Sequence, residues 1–134
     1  MLRGLTTVTF FADDVTEAAR WYADLLGTEP YFRRPEEGTP AYVEFRIGDY
    51  QHELGIVSTD FAPRPRPAEP GGAIVYWHVD DAEAAFTRLL SLGATPYEEP
   101  VERGPGYVTA SVVDPFGNLL GVMRNAHYLE VLEG

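Results

Sequence analysis

Residues 7–27, TVTFFADDVTEAARWYADLLG, and residues 74–93, IVYWHVDDAEAAFTRLLSLG, decide the fold because they are two versions of one pattern. Each contains an alternating apolar segment, a pair of aspartates, a helix-like apolar repeat and a closing glycine. The chain therefore contains two copies of one small structural unit. A site built from both copies is expected to draw on matching positions in each.

The segment that opens each copy alternates with a period of two, which is typical of a strand with one face against a helix. Functional side chains are expected on the face that points away from the helix. Alternation predicts two sets of residues for that face, one from each copy: Thr7, Thr9 and Phe11, and Ile74, Tyr76 and His78.

The helix that follows has recognisable ends in both copies. Asp14 is a predicted N-cap, with Glu17 as its reciprocal partner in a capping box, and Asp81 opens the second helix. Gly27 and Gly93 are expected to close the two helices, since glycine tolerates the left-handed conformation that often ends a helix.

Three further strand-like runs follow each helix, so each copy is predicted to be a βαβββ module. The predicted runs are 30–33, 41–47 and 52–57 in the first copy, and 95–101, 107–113 and 119–124 in the second. The proline-rich stretch 62–72, APRPRPAEPGG, is predicted to connect the modules, because it has little to bury and a stiff backbone. The modules are then residues 1–61 and 73–134 of a single domain.

Composition excludes several classes of function. The chain of 134 residues has no cysteine, and its formal net charge of −11 disfavours contact with a phosphate backbone. No apolar run reaches the length of about 18 residues that a membrane span needs. The N-terminus lacks the apolar core of a signal peptide. We therefore expect a soluble, cytoplasmic protein whose partners include neither nucleic acid nor membrane.

The duplicated helix motif, together with Asp114-Pro115-Phe116-Gly117-Asn118 before the last strand, resembles the vicinal oxygen chelate superfamily. This superfamily includes glyoxalases, extradiol dioxygenases, epimerases and bleomycin resistance proteins. The resemblance covers nearly the whole chain. It implies an α+β fold in which two βαβββ modules pair into an open, cup-shaped mixed β-sheet with the helices on its outer face.

Many relatives in this superfamily are dimers, so the resemblance also implies a homodimer. The C-terminal segment HYLEVLEG carries Tyr128, Val131 and Leu132. We expect these side chains to cover the sheet or to reach a second subunit.

Metal-dependent relatives take one ligand from the first strand and one from the last strand of each module, drawn from His, Gln and Glu. The matching first-strand positions here are Thr7 and Ile74, and the last-strand position of the second copy is Gly121. In the first copy it is Glu53 or Gly55, depending on the alignment. Because at most one carboxylate of four remains, the expected protein has no metal cofactor.

The resemblance and the strand alternation together predict a cavity lined by aromatic and polar side chains. Residues from both copies are expected to line it, in addition to the first-strand residues above: Tyr42, Glu44, Arg46, Glu53, Gly55, Thr109, Ser111, Gly121 and Met123. Such a lining suits a flat, partly apolar molecule that stacks on rings and is oriented by a few hydrogen bonds.

Two classes of function are consistent with these positions. The first is a metal-independent small-molecule-binding protein of the glyoxalase/bleomycin resistance type, with an aromatic or drug-like ligand in the cavity between the modules. The second is a lyase, isomerase or dioxygenase-type enzyme that uses Glu53 or His78, either without a metal or with an atypical metal site. The missing ligands favour the first.

Overall fold

The structure is a computed structural model that describes residues 1–134. It contains eight β-strands, three α-helices and a single-turn 3-10 helix at Thr59–Phe61. The strands and helices, in chain order, are β1 Thr7–Ala12, α1 Val15–Leu26, β2 Phe32–Arg34, β3 Tyr42–Ile47, β4 His52–Ser58, β5 Tyr76–His78, α2 Ala82–Ser91, β6 Thr95–Gly104, β7 Tyr107–Val113, β8 Leu119–Asn125 and α3 Ala126–Glu133. None of these helices has both the length and the apolar character that crossing a membrane requires.

The chain divides into two compact units, residues 1–67 and 68–134, with the boundary inside the proline-rich connector. Each unit has one open, four-stranded mixed sheet, with strand order β1-β4-β3-β2 in the first and β5-β8-β7-β6 in the second. The first and last strands of each unit pair in parallel, and the other neighbours are antiparallel. The predicted α+β class with two βαβββ modules is confirmed.

The core of each unit lies between its sheet and its long helix. In β1 the alternation is confirmed, since Val8, Phe10 and Ala12 are buried. Tyr22 of α1 is also buried, with its ring centroid 6.1 Å from that of Phe10. In the second unit Phe86 of α2 is buried on the equivalent side. We call the sheet face opposite the long helix the open face of each module.

The helix ends follow the predicted chemistry with two exceptions. Leu92, and not Gly93, is the C-cap of α2, and Gly93 follows it with φ of 105°. Asp14 Oδ1 accepts a hydrogen bond from the Glu17 backbone N–H at 3.1 Å, and Gly27 closes α1 with φ of 70°. The Glu17 carboxylate does not return a bond to Asp14. It pairs with Arg20 one turn later, at 2.7 Å, because i, i+3 neighbours share a helix face.

Loss of the N-cap of α2 should lower stability measurably. Asp81 Oδ1 accepts from the Ala84 backbone N–H at 3.0 Å, and alanine cannot replace that acceptor. We expect Asp81→Ala to reduce the free energy of unfolding by about 1 kcal/mol in urea titrations. Asp80→Ala is the matched control, since the Asp80 side chain is 97% exposed, and it should change stability by less than about 0.5 kcal/mol. Equal losses in the two variants would argue against the capping role.

Some element boundaries differ from the sequence prediction. Strand β5 is limited to Tyr76–His78, whereas alternation predicted a strand over 74–79, and β6 continues to Gly104 rather than ending at Val101. Register shifts interrupt the β6–β7 pairing at three places, which lets β6 run longer than its partner. The C-terminal segment forms α3, for which Asn125 is the N-cap.

Candidate functional site

The open face of the first module carries its predicted site residues in neighbouring rows. One row contains Thr7, Glu53 and Arg46, because Thr7 pairs with Glu53 and Glu53 with Arg46 across the strands. The next row contains Thr9, Gly55 and Glu44. The register thus brings together side chains from the first, last and third strands, as alternation predicted.

Glu53 is held by two partners in the first of these rows. Thr7 Oγ1 donates a hydrogen bond to Glu53 Oε2 at 2.8 Å, and Arg46 Nη2 lies 3.0 Å from Glu53 Oε1. Arg46 also donates from Nη1 to the Gln51 carbonyl at 3.3 Å, which fixes the guanidinium. Both carboxylate oxygens of Glu53 are therefore engaged within the sheet.

Tyr42 lies over Gly55 in the second row. A Cβ placed on Gly55 would lie 2.5 Å from the Tyr42 hydroxyl, so the tyrosine takes the space of a side chain at position 55. The Tyr42 hydroxyl donates to Glu44 Oε1 at 2.5 Å. Burial, and then the charge of Glu53, raise the pKa of both groups, and Arg46 partly offsets this for the pKa of Glu44.

The second module repeats this arrangement with a tyrosine from a different strand. Tyr76, Gly121, Ser111 and Glu98 follow one another across the four strands of the sheet. The Tyr76 ring crosses Gly121, and its hydroxyl donates to Glu98 Oε1 at 2.5 Å. Ser111, which lies between Gly121 and Glu98 in this row, has no exposed surface. Two small residues thus form the floor on which the Tyr76 ring lies.

Glu98 is the centre of a polar network that sequence analysis missed. Ser111 Oγ donates to Glu98 Oε1 at 3.4 Å, and Arg103 Nη2 donates to Glu98 Oε2 at 3.1 Å. Arg103 Nε donates to Thr109 Oγ1 at 3.1 Å. Strict alternation puts residues 98 and 103 on opposite faces, since they are an odd number of residues apart. The bulges of β6 bring them to the same face.

The Tyr76–Glu98 pair should make stability depend on alkaline pH. Burial, followed by the hydrogen bond to Glu98, raises the pKa of Tyr76 to about 12, whereas an unfolded tyrosine titrates near about 10. The folded protein therefore holds the phenol proton more tightly, so the stability that Tyr76 contributes is full below about pH 10 and is lost as pH rises towards about 12.

We expect Tyr76→Phe to lower the free energy of unfolding by about 1.5 kcal/mol at pH 8. Urea titrations at increasing pH should show this difference shrinking above about pH 10. Tyr107→Phe is the matched control, because it removes another hydroxyl from the same sheet. A pH-independent difference for Tyr76→Phe would show that its phenol titrates alike in both states.

The remaining predicted residues lie at the margins of these rows. His78 pairs with Met123, and Met123 pairs with Thr109. Ile74 precedes β5, and its Cγ2 would lie 2.9 Å from a Cβ on Gly121. In the first module the Phe11 carbonyl accepts from Arg66 Nη1 at 3.3 Å, and the Arg66 guanidinium lies 5.9 Å from the Phe11 ring centroid.

The strand register decides between the two alignments of the first module. Gly121 pairs with Tyr76, two residues after Ile74, and Gly55 pairs with Thr9, two residues after Thr7. Gly55 rather than Glu53 is therefore the counterpart of Gly121. The implied ligand positions are then Thr7, Gly55, Ile74 and Gly121. They offer a single hydroxyl, and it is bonded to Glu53. No group of three or more His, Asp and Glu side chains is arranged to hold a metal ion. These residues do not fit the implied metal site.

Solved structures of similar fold come from several bacteria. A glyoxalase-related enzyme from Fulvimarina pelagi is 19% identical, with a TM-score of 0.70 over 92% of this chain and 89% of that chain. A member of the glyoxalase/bleomycin resistance protein/dioxygenase superfamily from Sphaerobacter thermophilus is 19% identical, with a TM-score of 0.71 over 91% of this chain and 97% of that one. TioX from Micromonospora sp. ML1 is 20% identical, with a TM-score of 0.68 over 92% and 99% of the two chains. At these identities the likeness shows the fold alone.

A search of curated protein sequences gave no match. The family model does match, and it covers residues 4–122, which includes most of both modules and the whole DPFGN turn. The chain belongs to the Glyoxalase/Bleomycin resistance protein/Dioxygenase superfamily.

Proposed function

We propose that the protein binds a small, partly aromatic molecule without a metal ion, on the open faces of its sheets. The observation that carries this proposal is a tyrosine lying over each glycine at the last-strand position, Tyr42 over Gly55 and Tyr76 over Gly121. Where a metal-dependent relative presents a ligand side chain, each module presents an aromatic ring with its hydroxyl fixed by a glutamate.

The chemistry of the first open face supports an aromatic ligand. The Tyr42 and Phe32 rings meet edge to face with their centroids 6.2 Å apart, and Thr9 beside Gly55 is exposed. Rings held in this way offer apolar area at little entropic cost, while Thr9 and Glu44 supply hydrogen-bonding groups near them. Glu44 Oε1 is occupied by Tyr42, which leaves Oε2 for a ligand donor.

Catalysis by Glu53 or His78 has less support from the geometry. Glu53 is engaged by Thr7 and Arg46, and the His78 side chain is only 9% exposed, with its ring stacked on Tyr128. A general base must reach the proton that it removes. Neither group is placed to do so without a rearrangement of its partners.

The proposal is tested by screening the protein against a panel of aromatic compounds by thermal shift, followed by calorimetry in buffer with and without EDTA. We expect at least one saturable ligand with a dissociation constant that EDTA leaves unchanged. Failure of every compound, or binding that EDTA abolishes and a divalent metal restores, would contradict the proposal.

A blocking substitution locates the ligand on the open face. Thr9→Trp places a large side chain beside Gly55 and should weaken binding at least about tenfold, which corresponds to about 1.4 kcal/mol. Thr87→Trp is the matched control, since Thr87 is exposed on α2, away from the sheet, and it should leave the affinity unchanged. Equal effects of the two substitutions would place the ligand elsewhere.

A further inference from the structure

His78 contains a buried hydrogen-bond donor without an acceptor. Its Nδ1 accepts a hydrogen bond from the Asn125 backbone N–H at 3.3 Å, which assigns the proton of the neutral ring to Nε2. Nε2 is buried and has no hydrogen-bond partner. Asp80 Oδ1, at 3.8 Å, is too far away to accept one. Native proteins rarely leave such a group unpaired, and the exceptions often mark a place where a ligand or water binds.

The group that covers His78 comes from α3. The Tyr128 ring is stacked on the imidazole with the ring centroids 4.5 Å apart and an angle of 11° between the planes. This is the arrangement that a planar ligand would adopt on the same ring. Tyr128 shields the imidazole but gives Nε2 no acceptor.

Helix α3 lies at the surface of its module. It has eight residues, and none of them is buried. Val131 and Leu132 are exposed, and the Ala126 backbone N–H donates to the Gly106 carbonyl at 3.2 Å. A helix of this length has little stability of its own in water, and segments with few buried contacts open most readily.

The Asn125 contact to His78 is made by the backbone of a sheet residue, while the Asn125 side chain caps α3 at the Tyr128 N–H. Asn125 is the last residue of β8 and pairs with Tyr107 of β7. When α3 moves, the sheet still holds the Asn125 backbone N–H against Nδ1. The imidazole therefore continues to present a donor, and not an acceptor, at Nε2.

We infer that α3 is a lid over His78 and that the Tyr128 ring occupies the place of an aryl ligand. When α3 opens, this ligand stacks on His78 and supplies the missing acceptor to Nε2. This inference rests on the proposed function and names a ligand class for the open face of the second module, where His78 lies. A hydrogen bond to Nε2 lies in the imidazole plane, whereas the stacked ring lies above it. The ligand must therefore carry a carbonyl or amide on a short arm attached to its ring.

The lid is tested first without a ligand. Hydroxyl radicals oxidise the carbon atoms of accessible imidazole rings, and mass spectrometry of peptides cut from the labelled protein measures the rate at each of the three histidines. We expect Tyr128→Ala to raise the rate at His78 at least tenfold, while exposed His127 serves as the internal reference. Val131→Ala shortens a side chain of α3 without removing the stack, and it should leave the rate at His78 unchanged. No change in Tyr128→Ala would overturn the lid, whatever the compound panel shows.

The ligand class is tested with phenylacetamide, which has an aryl ring and an amide on one methylene, and with ethylbenzene, which lacks the acceptor. NMR titration should show phenylacetamide binding at least tenfold more tightly to Tyr128→Ala than to the native chain. Tyr128→Ala should also prefer phenylacetamide to ethylbenzene, and adding His78→Leu should abolish this preference. The assignment of an aryl ligand with an acceptor would be overturned by either of two results. One is equal affinity of the native chain and Tyr128→Ala for phenylacetamide, and the other is equal binding of phenylacetamide and ethylbenzene by Tyr128→Ala.

Discussion

Replacing Gly121 by alanine is expected to destabilise the protein by about 2 to 3 kcal/mol or more, because the new methyl group would clash with atoms of the neighbouring strand, including backbone. It would lie 2.7 Å from Tyr76 Cδ1 and 2.8 Å from the Val75 carbonyl oxygen. That carbonyl also accepts a hydrogen bond from the Gly121 N–H at 2.9 Å, so relief of the clash must separate the backbones of β5 and β8.

Gly55→Ala is the matched control for this prediction, since Gly55 is the counterpart of Gly121 in the first module. Its nearest neighbours are three atoms at the end of the Tyr42 side chain, at 2.5 to 2.9 Å, and that side chain can rotate away. We expect a loss below about 1.5 kcal/mol, mainly from the Tyr42–Glu44 hydrogen bond. Urea unfolding measures both variants. Equal losses would show that the Val75 carbonyl does not decide the cost at position 121.

Replacing Asp114 by alanine is expected to cost about 3 kcal/mol or more, because its carboxylate satisfies several donors of the DPFGN turn. Asp114 is buried, and its Oδ1 accepts from the Phe116 and Asn118 backbone N–H groups at 2.9 and 2.8 Å. Its Oδ2 accepts from Asn118 Nδ2 at 3.0 Å. Alanine leaves all three donors without this acceptor, and Asn118 is itself buried.

Asp114→Asn separates the geometry of the turn from the charge. Asparagine keeps the Oδ1 position for the two backbone donors and for the 3.3 Å bond from Asn118 Nδ2, but it loses the 3.0 Å bond to Oδ2. We therefore expect the stability of Asp114→Asn to lie between those of the native chain and Asp114→Ala. Calorimetric melting and urea unfolding measure the series. If Asp114→Ala lowers the free energy of unfolding no more than Asp80→Ala, which removes an exposed carboxylate, the role of Asp114 in stabilising the turn is contradicted.

Much of the fold could be predicted from the sequence because its signals are local. The positions of Asp14, Gly27 and Asp81 fixed the helix ends within one or two residues, since capping involves atoms within a single turn. The period of two in β1 identified Val8, Phe10 and Ala12 as its buried face. The same alternation placed Glu44, Arg46 and Glu53 on the open face, as the strand register confirms.

The candidate site was harder to predict because it depends on register and rotamers. From Gly104 back to Thr95, β6 advances nine residues while its partner β7 advances six, from Tyr107 to Val113. Sequence patterns do not locate such slips, so Glu98 and Arg103 were missed. The sequence also gave no sign that the space over Gly121 is filled by a side chain from β5.

The sequence by itself determined the duplicated βαβββ architecture, because periodicity and helix caps are local properties of the chain. Only the tertiary structure decided that Tyr42 and Tyr76 lie over the two glycines and that Tyr128 covers His78. These contacts join residues up to 50 positions apart, as between His78 and Tyr128. The physical reason is that the conformation of an aromatic side chain depends on the space between its packed neighbours. Strand pairing creates that space only when the chain folds.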